Sequence, residues 1–184
     1  MDITSYTVSE KMRQKQTKTH NDNIDYLSSF IGLTIDSAFQ EQYFFEGKLN
    51  EESMGTLKLI FSNGQKFTFD CDGNAESLII RKDGFTDKGI LESNIEDNRY
   101  KWKEVEFISS NALSNFGNVI NVYLEEFTNE FETIQSGCKI EFKSGDYLRI
   151  WTKESDNIFY GLNKKPPYLK NENLKIELKT LYNH

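Results

Sequence analysis

Between residues 125 and 132 the chain sets four glutamates, Glu125, Glu126, Glu130 and Glu132, around Phe127 and Phe131. On an extended strand Glu126, Glu130 and Glu132 share one face, while Glu125, Phe127 and Phe131 share the other. Carboxylates converging on one face suit two kinds of chemistry. They can hold a basic partner, or a pair of them can act on a sugar, which needs a separation of about 5–9.5 Å. The same residues also make a solvated strand edge that charge keeps from aggregating. Trp102 and Trp151 join Glu126, Glu130 and Glu132 as candidate partner-binding residues, because tryptophan is enriched at interface hot spots.

Other chemistries find less material. The only histidines, His20 and His184, fall in segments read as tails, so residues 23–163 contain none. A Ser-His-Asp triad, a Cys-His pair or a histidine zinc site would need one in the body. Cys71 and Cys138 are the only cysteines and are far apart, which reads as two free thiols, with a single disulfide as the alternative. The run Asp70-Cys71-Asp72-Gly73-Asn74 invites calcium, but a calcium loop of the EF-hand type needs glycine at its sixth place and glutamate at its twelfth. Ala75 and Arg81 stand there instead, so the run reads as a turn. Gly32 and Gly117 stand alone, without the glycine pattern of a nucleotide cradle. No metal and no cofactor are expected. Lys11, Arg13, Lys15 and Lys18 form a basic stretch without interleaved aromatics, a weak basis for nucleic-acid binding.

The elements that must position these residues are read from hairpins. With Ser62-Asn63-Gly64 as a three-residue loop and Gly64 left-handed, Leu59 faces Phe67 and Leu57 faces Phe69, all on one side. A two-residue loop would split that apolar set between faces. Lys143-Ser144-Gly145 solves in the same way, pairing Ile140 with Leu148 and Cys138 with Ile150. Alternation adds strands over 33–46, 77–82, 101–108, 119–127, 158–162 and 174–181. Helical turns fit 23–31 and 110–116, each ended by its glycine. Residues 84–99 read as an irregular connection, and Pro166-Pro167 as a loop. The expected fold class is mainly β (α+β), antiparallel hairpins with short helices.

The layout repeats. Leu27-Ser28-Ser29-Phe30-Ile31-Gly32 resembles Leu113-Ser114-Asn115-Phe116-Gly117, with Ile35 and Ile120 each three residues beyond the glycine. Leu59 to Gly64 resembles Ile140 to Gly145, and Val105-Glu106-Phe107 resembles Ile176-Glu177-Leu178. These landmarks suggest two copies, 24–108 and 110–179, within one folded domain of residues 23–184 behind a polar N-terminal tail or arm, 1–22.

The formal charge of −7 over 184 residues is uneven. Residues 23–163 hold 13 basic against 24 acidic side chains, a net −11, and both ends are mildly basic. Such a body repels phosphate backbones and attracts basic partners. No apolar run is long enough to cross a membrane as a helix, and residues 1–22 lack a secretory core, so a cytoplasmic protein that touches neither membrane nor nucleic acid is expected.

In this acidic, strand-rich, Phe- and Asn-rich layout, with Leu27–Gly32 before Phe61-Ser62-Asn63-Gly64 and Leu113–Gly117 before Phe142-Lys143-Ser144-Gly145, the chain resembles small immunity proteins of bacterial toxin systems, including contact-dependent inhibition. The resemblance implies a non-enzymatic inhibitor that occludes the active site of a cognate basic toxin. It carries over no family binding residues. A small-ligand-binding, barrel-like protein and a carboxylate-dependent hydrolase are the alternative functions.

Overall fold

Two glycine-closed turns organise the chain. In a computed structural model that describes residues 18–71, 77–83, 99–128, 133–153, 157–164 and 176–180, Gly64 and Gly145 have φ of 79° and 90°. Each closes a three-residue loop: the Phe61 N–H donates to the Gln65 carbonyl at 2.9 Å, and the Phe142 N–H to the Asp146 carbonyl at 2.9 Å. The registers are those the apolar pattern demands, Leu59 opposite Phe67 and Ile140 opposite Leu148.

Helix α1 covers residues 18–28. It is followed by β1 (Ile35–Phe45), β2 (Lys48–Phe61), β3 (Lys66–Cys71), β4 (Leu78–Lys82) and β5 (Tyr100–Ile108). Helix α2 (Ser110–Phe116) then opens a second series, β6 (Val119–Thr128), β7 (Thr133–Phe142), β8 (Tyr147–Lys153), β9 (Asn157–Leu162) and β10 (Ile176–Thr180). The fold is mainly antiparallel β with two short helices. Strand order is β4-β3-β2-β1-β5 in one sheet and β9-β8-β7-β6-β10 in the other. Each half is therefore a helix, a four-stranded meander, and a fifth strand that returns to pair with the first.

The same plan holds for packing. Phe30, from the turn after α1, meets Phe61 at 4.5 Å between ring centroids, and Phe116 of α2 meets Phe142 at 5.1 Å. These rings belong to one buried cluster that also takes in Leu57, Leu59, Phe67 and Phe69 from the first sheet and Leu124, Ile140, Leu148 and Ile150 from the second. The halves join just beyond the helices, where the Gly32 N–H donates to the Val119 carbonyl at 2.9 Å and the Val119 N–H to the Leu33 carbonyl at 2.8 Å. Buried side-chain amides cap two edge strands at equivalent carbonyls: Asn23 donates to Leu78 and Gln40 to Ile158, both at 2.8 Å. Such pairing removes exposed edge groups that would otherwise recruit another strand.

Two expectations are corrected. Helix α1 starts by residue 18 rather than 23, so His20 and Asp22 lie on a helix and not in a tail. The partner of Ile35 in the second half is Val119, not Ile120: Ile35 pairs with Phe61, and Val119 with Phe142. A bulge follows each, leaving Asp36 and Ile120 as extra residues, and Ile120 is 43% exposed. Strand β2, in addition, extends back from the predicted hairpin to Lys48. It is joined to β1 by Glu46 and Gly47, both left-handed at φ 49° and 77°.

Candidate functional site

Alternation along β1 buries Ala38 and Gln40 and turns Phe39, Glu41, Tyr43 and Phe45 to the opposite face of the first sheet. Across the β1–β5 pairing Tyr43 stands opposite Trp102, Glu41 opposite Glu104, and Phe39 opposite Glu106. This outer face thus interleaves aromatics with carboxylates. The Tyr43 and Trp102 rings lie 5.2 Å apart, and Trp102 remains 37% exposed. Gly55 on β2 makes room for them: a Cβ there would stand 2.9 Å from the indole Cζ3 and 3.0 Å from the Glu41 Cβ. Phe45 is 37% exposed at the far end of the same strand.

Glu41 is the least comfortable charge on this face. Burial raises its pKa; hydrogen bonds from the Thr56 hydroxyl and backbone N–H pull it down, and the charges of Glu104 and Asp70 push it up again, for a net rise. Lys58 does not serve Glu41, because its ammonium pairs with Glu104 and lies 5.3 Å from the Phe39 ring centroid.

The outer face of the second sheet is closed on itself. Glu125 is fully buried, and its Oε1 accepts from the Arg149 Nε. Burial raises the Glu125 pKa, and Arg149 offsets this only in part. Lys139 pairs with Glu141, which also accepts from the Tyr123 hydroxyl at 2.8 Å and Asn121 Nδ2 at 3.3 Å. Burial works against the Glu141 charge, but these partners outweigh it and hold its carboxyl low. The Lys139 ammonium sits 4.7 Å from the Tyr147 ring centroid.

The five residues singled out by sequence do not converge. Trp102 lies on the exposed face of the first sheet. Trp151 is on the second sheet, 7% exposed, stacked on Phe159 at 6.2 Å and packed against Gly161. Glu126 follows Val122 and Leu124 onto the inner side of β6, half-buried, with its Oε1 3.6 Å from His20 Nε2. Glu130 and Glu132 lie outside the described residues. An open acidic face at Glu126 is therefore corrected: Glu125 and Glu126 lie on opposite faces, but Glu126 points towards α1. There His20 contacts Gln135, whose Oε1 accepts from Asn23 Nδ2 at 2.7 Å. The histidine-free body is corrected too, since His20 packs against the second sheet beside an amide and a carboxylate.

Among the described residues no group of three or more His, Cys, Asp or Glu side chains could hold a metal ion. Cys71 and Cys138 form no disulfide, and burial together with the Glu125 charge pushes the Cys138 thiol well up, away from nucleophilic chemistry. No described helix is long and apolar enough to cross a membrane. Glu41, Tyr43 and Gly55 escaped the sequence reading. The signal for them was the register of the long β1, which puts Glu41 beside Tyr43 on the face that Ala38 does not share. Compared with family models, with curated proteins and with solved structures, the chain finds no match in any of the three.

Proposed function

We propose that this chain is a non-enzymatic binding protein that neutralises a basic protein partner, as immunity proteins neutralise their toxins, by laying the outer face of its first sheet over the partner's active site. The observation that carries this reading is the Tyr43–Trp102 pair, with Trp102 37% exposed, beside Glu41. Tryptophan and tyrosine are the usual anchors of an interface, and here they border Glu41, a carboxylate that a cationic partner would complement. The net −11 of residues 23–163 adds long-range attraction and disfavours nucleic acid. The second sheet supports the reading by contrast: its Glu125 and Glu141 charges are answered by Arg149 and Lys139, whereas on the first sheet Lys58 answers Glu104 and no described cation answers Glu41. The reading places the protein in the cytoplasm of the cell that makes the toxin.

The test uses the purified basic product of an adjacent gene and its enzymatic activity. Full inhibition at one equivalent, with an association rate that falls as salt rises, is the expected result. Unchanged activity at excess inhibitor overturns the reading.

A further inference from the structure

The two halves can be superposed through their registers. Ala38 pairs with Leu59 as Val122 pairs with Ile140, and Leu59 pairs with Phe67 as Ile140 pairs with Leu148. Counting outward, Glu41 occupies the place of Glu125, Thr56 that of Gly137, and Thr68 that of Arg149. The pairing slips at the same level in both, between Gln40 and Gln42 in β1 and between Glu125 and Glu126 in β6. Both halves thus carry a glutamate at one matched position of the outer face. Only the second half supplies an arginine to it.

In the first half Thr68 is too short to reach across β2. Its Oγ1 is buried, the residue being only 5% exposed, and has no hydrogen-bond partner among the described residues. Arg81, its neighbour on β4, stands on the far side of β3 from Glu41. Among the described residues, the charges acting on Glu41 besides its Thr56 hydrogen bonds are the negative ones of Glu104 and Asp70. Beside Glu41, Trp102 offers an indole that is more than a third exposed.

We propose that Glu41 receives an arginine side chain of the basic partner, which fills in the first half the place that Arg149 fills in the second. This rests on the binding function proposed above and names the group it recognises. A guanidinium is the matching cation for two reasons. It forms paired hydrogen bonds to a carboxylate, and it stacks on an indole such as Trp102. A lysine ammonium offers neither the fork nor the plane.

The test measures binding of nona-arginine and nona-lysine peptides to the full chain at physiological salt, by calorimetry. Nona-arginine is expected to bind about tenfold tighter than nona-lysine, and Glu41→Gln to lose about tenfold for nona-arginine. Thr68→Arg supplies the guanidinium internally and should lose as much, whereas Asn111→Arg, the same charge on exposed α2, should lose less than twofold. Equal binding of the two peptides, or equal effects of Thr68→Arg and Asn111→Arg, overturns the proposal. Circular dichroism confirms folding of each variant, and Glu41→Gln carries the test if Thr68→Arg does not fold. If a basic adjacent-gene product binds and Glu41→Gln leaves its affinity unchanged, this inference fails while the binding function stands. If the peptides behave as expected but no such product binds, the binding function fails while the arginine site stands.

Discussion

Glu41 and Glu125 hold matched positions and opposite states of compensation. Glu41 is raised chiefly by burial, so its protonated form is favoured in the fold. Its ionisation therefore costs stability above the ordinary carboxylate range, and that cost disappears as pH falls below the unfolded value. Glu41→Gln keeps an acceptor for Thr56 and removes the charge. Its melting temperature should exceed that of the parent by about 2 °C at pH 7, with the difference gone near pH 4. A lower melting temperature at pH 7 would mean that an unseen cation already neutralises Glu41. For Glu125 the cation is in place. Arg149→Met strands a buried carboxylate and should cost about 3–5 kcal/mol by denaturant unfolding, while Glu125→Leu together with Arg149→Met should recover most of it. Sequence alternation sorted Glu125 and Glu126 onto opposite faces. It could not say which face met the core, because Phe127 made the Glu125 side look apolar. In the fold it is Val122 and Leu124 that define the inner side.

Turns were readable in sequence where glycine marks them, and bulges were not. Gly64 and Gly145 announce their hairpins because the left-handed conformation is cheap only without a side chain. The Asp36 and Ile120 bulges have no such mark: an extra residue in a strand looks like any other, and so Ile120 was aligned with Ile35. The Glu46-Gly47 turn was missed because glutamate rarely adopts φ near 50°. Helix α1 was started late because its first turn carries no apolar residue to betray it. These differences in kind predict different costs. Gly64→Ala strains one turn open to solvent and should cost about 1 kcal/mol. Gly137→Ala puts a Cβ 2.5 Å from the Ile150 carbonyl oxygen, a backbone atom that cannot swing away. It should cost about 3 kcal/mol or more and loosen the β7–β8 pairing. Unfolding curves compared with amide exchange at Ile150 check both; equal costs would contradict this ranking.

At the scale of the whole molecule, two halves share one plan and one core. The plan was readable, since helix, glycine and hairpin recur in the same order. The proposed binding face was not, because it depends on β5 returning past β2, β3 and β4 to lie beside β1, and no local pattern encodes that return. Because the buried cluster draws on both sheets, the chain should unfold in a single transition by fluorescence and circular dichroism together. Separate transitions would show that the halves are independent. The two tryptophans offer a test of the proposed face, since they sit on different sheets. The most direct measurement is the affinity of the basic partner for Trp102→Ala and for Trp151→Phe. Loss of an exposed anchor should weaken binding by about thirtyfold, while Trp151→Phe, which keeps the stack on Phe159, should stay within about twofold. Full affinity in Trp102→Ala, or a loss confined to Trp151→Phe, would contradict the account.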